Sequence, residues 1–270
     1  MRHTSGGPEK LSAVSTVVRR APLLVLPAVL LALLTWQVVT HGPLLRLDAR
    51  VSGALVHPGG RFSEILSGLG NVQVAVPVLL FAIGYVLWRG HDAGTERWWL
   101  PPLAAAVLMA LVPAIVVPLK DWTARPATPV MPPAVGYFPS GHTATAAVAY
   151  GSATLLLLPW LDSEATRRRL VACCTALVLG VSYGLVRHGY HWPLDVVASW
   201  CLSTVLLTTL SLVPGAGRST RRSSSGIPRP HSDPGSPATS SDTETAAPAR
   251  SRGSRTSRSS SSSSGSPWSS

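Results

Sequence analysis

Charge is what this chain lacks most: 13% of its 270 residues are Asp, Glu, Lys or Arg, where a soluble domain carries about a quarter. With a hydrophobic share of 46% and a mean hydropathy of +0.28, that deficit excludes a purely soluble globular protein and points to a membrane protein with soluble ends. Cysteine is nearly absent. Cys173, Cys174 and Cys201 all fall in apolar runs, and none has a metal-ligand spacing, so they read as free packing residues rather than a zinc or disulfide framework. No internal repeat is visible. Lysine occurs only at Lys10 and Lys120 among 23 basic residues; a chain that otherwise uses arginine points to a need for a compact ammonium at position 120. The net charge of +11 does not indicate a nucleic-acid partner, because eight arginines lie beyond Pro214 and others flank the apolar runs.

Those runs set the architecture. Residues 1–20 are polar and basic, with Arg19 and Arg20 directly before an apolar run over 21–40. That run exceeds the apolar core of a signal peptide, and no clear small-residue cleavage site follows it, so a membrane-spanning helix is expected. Residues 41–70 are mixed, and the spacing of Leu44, Leu47, Val51 and Leu55 predicts a short amphipathic helix at the membrane interface. Apolar runs recur at 72–88, 99–119, 143–160, 169–187 and 193–213, for six expected spans, with tryptophans clustered at the run ends. The predicted fold is an all-α six-transmembrane bundle over 21–213.

Basic residues orient it. With the N-terminus inside, the inner segments hold twelve Lys or Arg and the outer segments six, so both termini are predicted cytoplasmic. The loops at 120–139 and 187–192 then share the outer face. Residues 214–270 are rich in Ser, Pro, Gly and Arg and lack the apolar residues to fold. A solvated disordered tail is expected, with an anionic lipid or a partner as the functional alternative.

Three stretches on that outer face carry the chemistry. In Phe138-Pro139-Ser140-Gly141-His142, Ser140 can cap the following helix, Gly141 lets backbone approach a ligand, and the helix N-terminus offers amides to an anion. His142 stands there with a proton to donate near neutral pH. An ordinary capped helix is the plainer reading of this turn. Lys120 and Arg125, five apart before Pro126, can flank an oxyanion or simply anchor a helix end at the interface. Arg187 opens the third stretch, in which His191 and Asp195 are four apart. On a helix that spacing lets the carboxylate hold one imidazole nitrogen and free the other as nucleophile or base. A carboxylate at the head of an apolar span is costly without a partner.

Lys-x4-Arg-Pro, Pro-Ser-Gly-His and His-x3-Asp, in this order on outer loops of a six-span chain, resemble the type 2 phosphatidic acid phosphatase (PAP2) family. The resemblance implies a metal-free, cofactor-free phosphatase working through a phosphohistidine. It implies His191 as nucleophile, Asp195 as its orienting partner, His142 as the acid, and Lys120, Ser140 and Gly141 as the phosphate cradle. The implied substrate is a lipid phosphate or a polyprenyl diphosphate on the extracytoplasmic side.

Two positions depart from the family pattern. Where the family places an arginine seven residues after the lysine, this chain has Ala127; where it places Ser-Arg ahead of the nucleophile, this chain has Gly184 and Leu185. Arg125 and Arg187 each stand two residues away, and they are the expected replacements for the clamp. An uncompensated loss would cost about 3 kcal/mol of transition-state stabilisation, roughly a hundredfold in rate. The alternatives are a head-group phosphotransferase using the same phosphohistidine, and a catalytically weak lipid-binding or scaffold protein.

Overall fold

The computed structural model describes residues 7–57, 59–94 and 97–214, with side chains from residue 20 onward. The expected tail from residue 215 onward and the first six residues lie outside these. All regular structure in the described residues is helical: α1 (Gly7–Val39), α2 (Leu44–Leu55), α3 (Arg61–Gly68), α4 (Val72–Asp92), α5 (Leu100–Thr123), α6 (Gly141–Leu157), α7 (Glu164–Arg187) and α8 (Pro193–Leu212). Five of them, in α1, α4, α5, α7 and α8, are long and apolar enough to cross a membrane. Their outward residues, among them Leu26, Phe81, Trp88, Leu103 and Val117, are large, apolar and exposed, as a lipid-facing surface requires. The prolines inside α1, α4 and α5 fit the same setting.

The run expected as the fourth span became α6, only 17 residues long and continued by a 3-10 turn, Leu158–Trp160. It is the axis of the bundle, packed by α4, α5, α7 and α8, while α1 lies on α8. Its sequence explains that place. Gly, Ala, Ser and Thr dominate its first fourteen residues, and such side chains let neighbouring backbones come close. A Cβ at Gly151 would stand 2.5 Å from Leu207 of α8. Because the helices alternate in direction, α5 and α7 end where α4, α6 and α8 begin, and all three motifs meet at that end.

Two short helices roof it with inverted amphipathicity. On α2 the apolar stripe Leu44, Leu47, Val51 and Leu55 faces outward, while Asp48 and Ser52 are buried. On α3, Phe62 and Ile65 face outward, while Ser63 and Ser67 are buried. The expected interfacial helix therefore offers its apolar side to lipid and its polar side to the protein.

Helix α3 lies on α7 at Gly184, one of the positions that depart from the family pattern. A Cβ there would stand 2.6 Å from the Ser63 carbonyl oxygen and 2.7 Å from the Ser67 amide nitrogen. Backbone atoms cannot yield as a flexible side chain would. Gly184→Ala is expected to cost about 1–3 kcal/mol, read as a lower melting temperature of the detergent-solubilised protein; an unchanged melting temperature would mean that α3 is not fixed there.

Candidate active site

Each motif reaches the common end by a local device. Helix α5 closes with Lys120 in its last turn and Ala124 in the left-handed region (φ 43°), which redirects the chain towards Arg125. Ser140 caps α6, its hydroxyl accepting from the Thr143 amide at 3.4 Å. This leaves the Gly141 and His142 amides with no acceptor among the described residues, and such amides favour an anion. Asp195 sits in the first turn of α8, where its Oδ2 accepts from the Trp192 amide at 3.1 Å. The Ser140 amide donates to the Asp195 carbonyl at 3.2 Å, and the Ser199 hydroxyl donates to the Ser140 carbonyl at 2.8 Å, so the heads of α6 and α8 are stitched together.

His191 and Asp195 pair as the i,i+4 spacing predicts: His191 Nδ1 lies 3.2 Å from Asp195 Oδ2, with both side chains buried. The carboxylate fixes the ring by Nδ1, and Nε2 has no hydrogen-bond partner among the described residues. The other Asp195 oxygen takes a hydrogen bond from Arg125 Nη1 at 2.5 Å, and Arg125 Nη2 donates to Asp48 Oδ2. Asp48 Oδ1 accepts from the Leu194 amide at 2.9 Å, at the head of α8. Burial raises the Asp48 carboxyl above its ordinary value, against the opposing pull of Arg125.

A cavity of about 700 Å³ opens at this end. His142, His191 and Lys120 line it together, with Glu64, Asn71, Tyr137 and Tyr190. Across it His142 Nε2 lies 2.9 Å from Asn71 Oδ1, and the Tyr137 ring sits 5.6 Å from the His191 ring. A second, apolar cavity of about 650 Å³ runs between α4, α5 and α6 and shares Lys120 and His142 with the first. Among the described residues no group of three or more His, Cys, Asp or Glu is arranged to hold a metal ion.

The other expected site residues lie elsewhere. Ser140 is fully buried and spends its hydroxyl on the cap; Gly141 lines the apolar cavity rather than the polar one. Arg125 is 5% exposed and held by two carboxylates. Arg187 donates to the Leu55 carbonyl at 3.3 Å and lines a separate apolar cleft between α7 and α8. Neither guanidinium lines the polar cavity, whereas Leu185, at the position of the family's arginine, does. The reason is helical geometry: two residues along α7 rotate a side chain by about 200°, so Arg187 faces away from where Leu185 points.

Sequence reading missed Asp48 and Asn71. Asp48 had a signal: it borders the stripe Leu44, Leu47, Val51 and Leu55, and a lone carboxylate on a helix lying at the membrane interface needs a partner. Asn71, before an apolar run, had none. As the hydrogen-bond partner of His142, it is expected to matter. Asn71→Ala should lower kcat about tenfold with KM nearly unchanged, by steady-state phosphate release; an unaltered kcat would remove Asn71 from the site.

Residues 101–218 match the model of the PAP2 superfamily. The chain's fold is also that of a solved structure, the first transmembrane PAP2-type phosphatidylglycerolphosphate phosphatase from Bacillus subtilis, with a TM-score of 0.59 at 20% identity, covering 70% of this chain and 94% of that one. No curated protein matches. With this fold and its apolar helices, the chain is a multi-pass membrane protein. The matched PAP2 segment supplies Lys120, His142, His191 and Asp195, while Asp48, on α2, and Asn71, the residue before α4, lie ahead of it.

Proposed function

We propose that this protein is an integral membrane phosphatase that hydrolyses a lipid phosphate or a polyprenyl diphosphate through a phosphohistidine. The observation that carries the reading is one cavity lined by two histidines and a lysine, with one histidine held by a buried carboxylate. His191 Nε2 attacks phosphorus and the bond from phosphorus to the leaving oxygen breaks. His142 gives that oxygen a proton and then takes one from the water that hydrolyses the phosphohistidine. Lys120 and the free His142 amide at the head of α6 hold the phosphoryl oxygens. Asp195 keeps His191 in one tautomer and stabilises its positive charge. The twofold excess of basic residues on the opposite loops supports an extracytoplasmic site.

The apolar cavity supports a substrate with an acyl or prenyl tail, since Lys120 and His142 line both it and the polar one. Phosphate release from long-chain phosphatidate or prenyl diphosphate in mixed micelles, compared with glycerol phosphate, tests this. The tailed substrates are expected to show the higher kcat/KM by at least about a hundredfold, since burying even a few methylenes is worth that much. Equal turnover of the soluble ester would contradict it.

A further inference from the structure

Arg125 is held by two buried carboxylates, Asp48 and Asp195, and nothing in the phosphoryl-transfer steps above uses Arg125 or Asp48. The Arg125 guanidinium spans two carboxylates from two elements, Asp48 on α2 and Asp195 on α8. Its carbon lies 5.2 Å from the Trp192 ring, and the Trp192 indole donates to the Pro126 carbonyl at 3.0 Å. One loop further on, the Thr128 hydroxyl donates to the Gly189 carbonyl, just ahead of His191. Asp48 is 3% exposed and Asp195 fully buried, so the three charges form a dry chain behind the nucleophile. Arg125 is fixed on two sides by carboxylates and on a third by an indole. A side chain so held has no reach left for a phosphoryl oxygen in the cavity.

From this we infer that Arg125 and Asp48 are positioning residues: Asp48 anchors Arg125, Arg125 fixes Asp195, and Asp195 aims His191. The inference rests on His191 being the nucleophile. It gives Arg125 a task other than the phosphate clamp expected from its place next to Pro126. It also brings α2 into the site. Asp48 holds the guanidinium with one oxygen and the first turn of α8 with the other, so a single carboxylate sets both the partner and the mount of Asp195. The planar fork of Arg125 gives each carboxylate its own nitrogen, a separation that the single nitrogen of an ammonium does not reproduce.

The test separates positioning from phosphate contact. Wild type, Asp48→Asn, Arg125→Lys and Lys120→Ala are assayed for kcat and KM on phosphatidate in micelles, and for competitive inhibition by inorganic phosphate. Asp48→Asn and Arg125→Lys are expected to lower kcat about 10–100-fold, with KM and the phosphate inhibition constant within about twofold of wild type. Lys120→Ala is expected to weaken phosphate inhibition. Arg125→Lys weakening phosphate inhibition as Lys120→Ala does would make Arg125 a clamp and overturn the inference, as would an unchanged kcat in Asp48→Asn.

Should either variant fail to fold, arginine modification by phenylglyoxal on wild-type protein decides by mass spectrometry. Arg125 stays unmodified with or without phosphate if it is buried behind the site; it reacts, and phosphate protects it, if it faces substrate. Wild type without activity on any lipid phosphate, His191→Ala serving as the blank, would count against the phosphatase reading. The phenylglyoxal map still reports on Arg125 in that case.

Discussion

Replacing His191 by alanine is expected to abolish phosphate release, with kcat down by at least about 10⁴-fold, as losses of a nucleophile or its base do elsewhere. The size of the effect follows from the absence of a substitute. His142 lines the same cavity, but its Nε2 is engaged by Asn71, and among the described residues no buried carboxylate holds it as Asp195 holds His191. Helix α8 is tied to α6 through the Ser140 amide and the Ser199 hydroxyl, and to α2 through Asp48, none of which involves the imidazole. The variant should therefore fold, with a melting temperature within a few degrees of wild type. Residual turnover near the wild-type rate in a folded His191→Ala would leave a lipid-binding or scaffold protein as the better reading.

The second large effect belongs to Asp195. Asp195→Asn keeps the shape and can keep the bond from the Trp192 amide. It loses the negative charge that faces both His191 and Arg125. By comparison with the orienting carboxylate of a catalytic triad, kcat should fall about 10³–10⁴-fold, with the change in KM much smaller. Stability should fall as well, because Arg125 is left with Asp48 alone in a dry site, and breaking a buried ion pair costs about 3–5 kcal/mol. Both readouts are needed. A loss of stability with turnover intact would make Asp195 a structural partner of Arg125 rather than the orienter of His191.

Much of this was legible in the sequence, and the limits have physical causes. The runs at 72–88, 99–119, 169–187 and 193–213 became α4, α5, α7 and α8 nearly end to end, because twenty apolar residues in lipid must satisfy their own backbone groups. The run at 143–160 gave a helix too, but its small residues made it the inner axis instead of a lipid-facing span. The His191–Asp195 pair followed from helical spacing alone, and the Ser140 cap from its residue type. Contacts between distant segments were not legible. Nothing local to Arg125 says that its partner sits 77 residues earlier on α2, and nothing local to His142 says that Asn71 faces it. The clamp expected from Arg125 and Arg187 assumed that a displacement of two residues is small. On α7 it turns the side chain to the far face, and at Arg125 the left-handed Ala124 sends the chain inward to Asp48 and Asp195.

The most direct measurement is chemical trapping of the intermediate. Purified protein is mixed with phosphatidate carrying a radioactive phosphate, quenched within its first turnovers in alkali to preserve an acid-labile phosphoramidate, and digested for peptide mapping. Label on the peptide holding His191, absent from His191→Ala and retained longer in His142→Ala, is the predicted result. Wild-type protein that releases phosphate while no label, or label on another residue, is recovered would contradict the central claim that His191 is the nucleophile.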